Sequence, residues 1–470
     1  MDSVLSLRRR ILAGDITVDQ ASTAQYAIVR ADSARQWGCL THVFEQQDSV
    51  DHRLPLAGVG LAHKDIFAMR GRLPLCGTPQ AQALERRGSP VIAALERAGA
   101  MTLAALALAE FAAGVTGENP HLARPVNPID PRAAVGGSSS GSAVGVAAGL
   151  CYGSVGTDTA GSVRIPAASC GIVGLKPTHG ALSTSGCFPL APTLDTVGVL
   201  ARSTLDAAYI YACSLTDHRR EKALPRYDIP RSIKDIDAWP AHIAQQMPAR
   251  ERIAFAFEHA YPLFDPAPTQ RKVLLDFAHT YAAHALPTLP GLQTLIRSAS
   301  TVLHTESAVV HARALCGAAP GLTPITRAVA LPGAAIPAAW YRAALANQEQ
   351  LRANFLENVL HDHDILLTPV LPHGVPDWDM VCTNSPHYRS SALSALFSWT
   401  SFVNYLGLPA IVFPIGKDEK GRPISIQAIG RPWADATLIA FACNARCADL
   451  HAPNNGMPVT GANSPNLFTV

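Results

Sequence analysis

Apolar and polar positions follow two rhythms along this chain. Residues 3–13 and 18–33 repeat apolar side chains at helical spacing, and Thr17 and Gln20 ahead of the second stretch have the spacing of a reciprocal N-terminal cap. The stripe of that second helix is read at Ala21, Ala24, Ala27 and Ile28. Residues 37–44 read as an edge strand, 56–61 as a buried strand, 90–98 as an amphipathic helix and 101–107 as another strand. Past residue 203 the pattern predicts a helix to about 215, a polar proline-punctuated excursion over 216–248, a short strand at 252–257 and helical spacing over 269–286. An Ala-, Leu- and Pro-rich segment, 289–345, predicts an apolar pocket wall. Strand-like runs return at 364–369, 404–411 and 423–430, before a helix at 442–450 and an Asn-, Pro- and Gly-rich tail over 451–470.

One stretch breaks both rhythms. Residues 136–176 concentrate Gly, Ser and Thr: Gly136 and Gly137 lead into Ser138, Ser139 and Ser140, a small-residue run over 143–150 suits a tightly packed helix, and the loop Thr157-Asp158-Thr159-Ala160-Gly161-Ser162 follows. Small residues let backbone N–H groups converge on one point, as an oxyanion hole requires, with Ser162 beside it. A hydroxyl is a weak nucleophile at neutral pH unless a base lies within reach. The search for that base ends at Lys64, an ammonium set in the apolar run 56–67. Burial disfavours the charged amine and draws its pKa down from about 10.4, so that it accepts the proton of Ser138, and Ser138 that of Ser162. Asp65 beside it either orients the amine or caps the next turn.

The order of four blocks resembles the amidase signature family of serine hydrolases: Lys64; Gly136-Gly137-Ser138-Ser139; Asp158-Thr159-Ala160-Gly161-Ser162-Val163-Arg164; and Cys170-Gly171-Ile172-Val173-Gly174-Leu175-Lys176-Pro177-Thr178. Weaker agreement extends from about Thr17 to Ala442. The resemblance implies an α/β fold with a large mixed, mostly parallel twisted central sheet covered on both faces by helices. It implies a Ser-Ser-Lys triad with Ser162 as nucleophile, Ser138 as bridging serine after a cis peptide, and Lys64 as base. The N–H groups of Thr159, Ala160, Gly161 and Ser162 would form the oxyanion hole. Cys76, Gly137, Ser185 and Gly186 become pocket candidates, with Cys76 or Thr78 either touching substrate or packing their loop, and Asp158, Arg164 and Ser139 structural supports. The expected substrate is a small amide, with carbamates, ureas and esters sharing the chemistry, cleaved through an acyl-enzyme without metal or cofactor. Ala160 stands where the family usually has glycine, a variant associated with urea- and carbamate-type members.

Composition adds exclusions. Hydrophobic residues make up 48% of the 470 and charged ones 16%, which fits a large buried core. The formal net charge of +2, without a basic run, leaves no electrostatic footprint for nucleic acid. Ten dispersed cysteines in apolar company read as reduced core thiols of a cytoplasmic protein, and Cys443 and Cys447 lack the partners of a zinc site. No secretory signal is read at the start, and no apolar run reaches membrane-spanning length. The chain is expected to be one domain: an N-terminal helical segment (1–50), a signature core (51–212), a variable cap where substrate choice is encoded (213–360), the rest of the core (361–450) and a tail (451–470). A homodimer is the default assembly.

Two other readings compete. Gly137-Ser138-Ser139-Ser140-Gly141 fits a nucleophile elbow with Ser139 attacking, as in α/β-hydrolase esterases, but leaves Lys64 and the 158–162 loop without a role. The glutaminase component of an aminoacyl-tRNA amidotransferase complex also resembles this family; the Met-Asp-Glu-Phe block expected there appears here as Leu108-Ala109-Glu110-Phe111. His121, in a long polar loop, reads as a surface histidine.

Overall fold

A computed structural model describes residues 2–84, 88–225, 228–249, 252–257 and 267–445; the tail over 451–470 and most of the helix read at 442–450, with Cys447, lie outside them. Its strands are β1 (Leu40–Val43), β2 (Gly60–Lys64), β3 (Met101–Leu106), β4 (Gly153–Asp158), β5 (Val173–Lys176), β6 (Thr196–Ala201), β7 (Ile253–Phe255), β8 (His284–Ala285), β9 (Ile365–Pro369), β10 (Ala410–Lys417) and β11 (Pro423–Gly430). They join in one sheet of order β1-β3-β2-β4-β6-β5-β10-β11-β9-β7-β8.

The sheet is mixed, but not mostly parallel as expected. Parallel pairing is confined to β3-β2-β4 at one side and β9-β7-β8 at the other. Every pairing from β4 through β6, β5, β10 and β11 to β9 is antiparallel. Near-continuous apolar strands suggest parallel sheets because those are usually buried on both faces. Here antiparallel strands are equally buried, because helices cover both sides of them.

Period-two alternation sorts the strand side chains between those two sides. Leu61, Val155, Val199, Leu175, Ile411 and Ile426 join a cluster with the helices Val4–Ala13, Thr204–Ser214 and Asp435–Asn444. On the opposite side Ala62, Leu106 and Leu200 pack on the helix Ser140–Ala147, and Ala410, Ile429 and Leu366 on Leu292–Val310 and Ser401–Tyr405. The small residues of Ser140–Ala147 permit close approach: the helix is buried from Ser140 to Val146.

Two sequence readings shift. The strand carrying Lys64 begins at Gly60 rather than residue 56, and Lys64 is its last residue. In the helix Val18–Arg30 the capping box of Thr17 and Gln20 forms, but the buried stripe is Val18, Ala21, Ser22, Gln25, Tyr26 and Val29, with Ile28 exposed. A polar residue occupies the inner face because Gln25 finds backbone partners there: its amide donates to the Gly58 carbonyl at 2.8 Å and accepts from Gly60 N–H at 2.7 Å. Thus Gln25 ties this helix to the start of β2.

Candidate active site

Topology brings the candidate residues together. β2 and β4 are parallel neighbours with Leu61 opposite Gly153, so their C-terminal ends emerge side by side, one carrying Lys64 and the other Thr157 and Asp158. Gly156 leaves the space that Ser139 occupies; a Cβ there would lie 2.8 Å from Ser139 Oγ. The loop before the helix Ser140–Ala147 is thereby pressed onto the strand ends, with a cis peptide between Gly137 and Ser138.

Lys64 is fully buried, and its Nζ lies 2.8 Å from Ser138 Oγ and 2.7 Å from Thr157 Oγ1. Desolvation draws its pKa down to about 7, opposed by the nearby Cys187, Asp195 and Asp158. Close to neutrality a large fraction of this lysine is therefore an uncharged amine. Asp65 does not orient it. The Asp65 carboxylate accepts from Arg72 Nη1 at 2.7 Å, from Thr41 Oγ1 at 2.9 Å and from Leu75 N–H at 3.2 Å, which makes it the support of the following turn.

Ser162 is placed by backbone. Its carbonyl accepts from Ser139 N–H at 3.2 Å, which sets it against the 137–139 loop. Its hydroxyl lines a cavity and makes no hydrogen bond to Ser138 among the described residues. The structure therefore closes the Lys64–Ser138 half of the expected relay and brings Ser162 beside it. Ser139 Oγ donates to the Thr157 carbonyl at 3.3 Å, a tether that faces away from the role of nucleophile.

The 158–164 loop is held from several directions. Asp158 accepts from Gly161 N–H (2.9 Å) and Val163 N–H (3.1 Å) and pairs with Arg164 at 2.8 Å, both side chains fully buried. Burial opposes the Asp158 charge, yet the Arg164 guanidinium and these N–H groups hold its carboxyl well below the usual range. Arg164 reaches on to Asn404 Oδ1 (2.6 Å), Gln427 Oε1 (2.6 Å) and the Thr400 carbonyl (3.1 Å). Asn404 Nδ2 donates to the Asp158 carbonyl at 2.7 Å, and Thr400 Oγ1 to the Ala160 carbonyl at 2.5 Å. Gly161 has φ of 122°, and a Cβ on it would lie 2.4 Å from Thr400 Oγ1. Of the four expected oxyanion donors, Gly161 N–H is thus taken by Asp158. Those of Thr159, Ala160 and Ser162 donate to no protein acceptor among the described residues.

Two cavities adjoin here, sharing Ala112 and Leu190 in their linings. One of about 370 Å³ is lined by Ser162, Thr159 and Ala160 and walled by Leu194, Ala299, Leu303, Ile325, Ala328, Leu393 and Phe397. The other, of about 500 Å³, is lined by Thr157, Asp195, Ser185, Gly186 and Cys187, with Phe188, Leu190 and Val310. Ser185 and Gly186 are therefore pocket residues, whereas Cys76 is fully buried and lines neither cavity, as is true of Gly137. Thr78 is spent on its own loop, donating to the carbonyls of Leu75 and Gln80. The segment 289–345 supplies much of the apolar wall, as its composition suggests.

Several site residues carry no sequence signal. Thr157 is visible in the sequence only as part of a polar loop, and Thr400, Asn404 and Gln427 lie some 240 residues or more from the loop they brace. Asp195 accepts from Thr159 Oγ1 at 2.6 Å and from Leu190 N–H at 3.0 Å; burial raises its pKa to about 6. Two buried carboxylates staple the cap helices to the core. Glu306 accepts from Thr193 N–H at 2.9 Å, from the Thr193 hydroxyl and from Tyr341 at 3.0 Å. Glu110 accepts from Thr323 N–H at 2.9 Å and Oγ1 at 2.6 Å, and His121, exposed as expected of a surface histidine, lies with Nε2 3.3 Å from the same carboxylate.

The amidase family profile matches residues 25–278 and 303–439, and with the Lys64–Ser138 contact and the braced 158–164 loop in place the chain belongs to the amidase signature family of hydrolases. It is 31% identical over 418 residues to amidase 1 of Oryza sativa subsp. japonica, covering 86% of this chain and 93% of that protein. It is 30% identical to a component of the glutamyl-tRNA(Gln) amidotransferase of Prochlorococcus marinus subsp. pastoris, covering 93% of this chain and 96% of the relative. A crystal structure of an amidase superposes with a TM-score of 0.78 at 27% identity, over 95% of this chain and all of the other. Among the described residues no helix is long and apolar enough to cross a membrane.

Proposed function

We propose that this protein hydrolyses neutral amides with an apolar acyl group, through an acyl-enzyme on Ser162. The observation that carries the reading is the buried amine of Lys64, 2.8 Å from Ser138 Oγ and drawn down to a pKa of about 7 by desolvation. Its lone pair takes the Ser138 proton as Ser138 takes that of Ser162, whose Oγ turns from the cavity toward Ser138 when substrate binds; catalytic hydrogen bonds commonly tighten only in the complex. Thr157, also in contact with Nζ, holds the amine in line. Ser162 Oγ attacks the carbonyl carbon, and the N–H groups of Thr159, Ala160 and Ser162 receive the oxyanion, each worth roughly 3 to 4 kcal/mol. The C–N bond then breaks as Lys64, through Ser138, returns the proton to the leaving nitrogen. Water enters by the same relay, takes the acyl group from Ser162 and restores its hydroxyl.

The acyl group is assigned to the smaller cavity because that cavity holds Ser162 and the oxyanion donors. The leaving amine lies toward Thr157 and the larger cavity, where the relay ends. Apart from His304, the lining of the acyl cavity contains no ionisable acid or base stronger than a tyrosine hydroxyl. Desolvating an ion there without a partner is costly.

That lining also weighs against the second reading. The similarity to an amidotransferase component supports a glutaminase, but glutamine brings an ammonium and a carboxylate into a cavity with no Asp, Glu, Lys or Arg. The test is a screen of aryl amides, aliphatic amides, carbamates and glutamine with the purified chain and its Ser162→Ala variant. Turnover of apolar amides lost in Ser162→Ala is expected; glutamine as the sole substrate cleaved would reverse the choice.

A further inference from the structure

Asp195 stands directly before β6, 7% exposed, in the lining of the larger cavity. Its carboxylate is held by neutral donors: Thr159 Oγ1 at 2.6 Å and the N–H groups of Leu190 at 3.0 Å and Ala191 at 3.3 Å. It enters no ion pair among the described residues, and Lys64 is the cation whose charge acts on it. A buried carboxylate without a paired cation is costly to keep and marks a candidate for function. The groups that bear on Lys64 are Cys187, Asp195, Asp158 and Cys76, with the Ser138 and Thr157 hydroxyls in contact. Burial pushes both thiols far above their ordinary range, so neither carries charge near neutral pH. Asp158 spends its charge on Arg164 at 2.8 Å, with Lys176 nearby. Asp195 is therefore the negative charge left facing the base, and it is ionised above about pH 6, where the free amine of Lys64 accumulates.

We propose that Asp195 is a positioning residue of the hydrolytic reaction, whose carboxylate balances the ammonium formed on Lys64 and whose hydrogen bond to Thr159 holds the oxyanion loop. This rests on the hydrolase reading above. As Ser162 Oγ bonds to the carbonyl carbon, its proton passes to Ser138 and the Ser138 proton to Lys64, so the tetrahedral intermediate carries an oxyanion and one new ammonium. In a buried site an unpaired carboxylate stabilises that ammonium more strongly than it could in water. The same carboxylate fixes Thr159, whose N–H is one of the proposed oxyanion donors. When the C–N bond breaks, the proton leaves Lys64 through Ser138 for the leaving nitrogen. The oxyanion reverts to a carbonyl and the ammonium to an amine.

The experiment measures kcat/KM between pH 5 and 9 for an uncharged amide that the wild type cleaves, using the wild type, Asp195→Asn, Asp195→Ser and Asp195→Glu, together with the melting temperature of each. Asp195→Asn removes the charge. The midpoint of its pH profile is expected about one pH unit below that of the wild type, because loss of the nearby negative charge makes Lys64 a weaker base. Its plateau should fall at least about tenfold, since a less basic amine and a loosened Thr159 both weaken the transition state. Asp195→Ser, neutral and smaller, is read in the same way where Asp195→Asn melts below the assay temperature. Asp195→Glu keeps the charge, and the cavity beside it has room for the added methylene. It should hold the wild-type midpoint while losing plateau rate. A neutral variant with a lower plateau at the wild-type midpoint overturns the inference, because a merely structural carboxylate behaves so. A midpoint in Asp195→Glu that falls with that of the neutral variants does so as well, and so does loss of the fold in both neutral variants. A wild-type chain that cleaves no amide, or whose profile is flat from pH 5 to 8, overturns the underlying reading instead, which separates the two failures.

Discussion

Lys64 is the residue on which the proposed chemistry turns, and its environment sets a measurable pH dependence. Its folded pKa of about 7 means that the free base, the form able to take a proton, is scarce below that pH and dominant above it. The kcat/KM for an uncharged amide is expected to rise about tenfold per pH unit up to about 7 and to level off above it. A profile flat from pH 5 to 8 would remove Lys64 from the role of base. Ser162→Ala should lower kcat by at least about a thousandfold, whereas Ser139→Ala, which loses a 3.3 Å tether to a carbonyl, should keep most activity; the reverse pattern would install Ser139 as nucleophile. At this scale the sequence is legible where chemistry is written locally: Lys64, Ser138 and Ser162 stand out because each interrupts an apolar or small-residue run with a group that burial would otherwise penalise. Thr400, Asn404 and Gln427 are not legible, because a threonine, an asparagine and a glutamine in ordinary helix and strand contexts reveal their partners only after the chain has folded across some 240 residues or more.

Elements place these residues, and the misreadings at this scale have a common cause. Hydrophobic runs reveal that β2, β10 and β11 are buried, but a strand covered on both faces has no alternation to mark its ends or its direction. Hence the pattern puts Lys64 beyond its strand rather than at its end and leaves strand direction unread, so that the mostly parallel sheet implied by the family resemblance goes uncorrected until the mixed pairing is seen. The cap is legible as an apolar wall, while the carboxylates that fasten it, Glu110 and Glu306, are charges in buried positions and have no periodic signature. Their role is testable. Glu306→Ala leaves the Thr193 N–H and hydroxyl without their acceptor and frees the helix Leu292–Val310, which carries Ala299 and Leu303 into the acyl cavity. A loss of about 1.5 to 3 kcal/mol in unfolding free energy is expected, with KM for apolar amides raised more than kcat is lowered. Denaturant titration and steady-state kinetics check the two halves. A fall in kcat at unchanged KM would mean that Glu306 acts on the catalytic loop rather than on the wall.

Over the whole molecule, buried ionisable groups in and beyond the candidate site shape stability. Lys64 and Lys176 are both fully buried and drawn by desolvation to a pKa of about 7. An unfolded lysine titrates near 10.4, so between pH 7 and 10 the unfolded chain binds more protons than the folded one, and stability rises with pH through that window. Buried thiols act in the opposite sense: Cys151 and Cys213 are pushed up to about 12, so the unfolded chain alone ionises them as pH passes about 9. The two effects overlap only in part between pH 7 and 8, where the thiols of the unfolded chain have just begun to ionise. There the lysines dominate, at about 1 kcal/mol each for one pH unit. Raising the pH from 7 to 8 at constant ionic strength should therefore stabilise the wild type by on the order of 2 kcal/mol in urea titrations. Lys64→Met should keep only the half contributed by Lys176. A midpoint that stays level or falls over this interval would show that these amines remain charged in the folded protein, and with that the proton acceptor of the proposed relay would be gone.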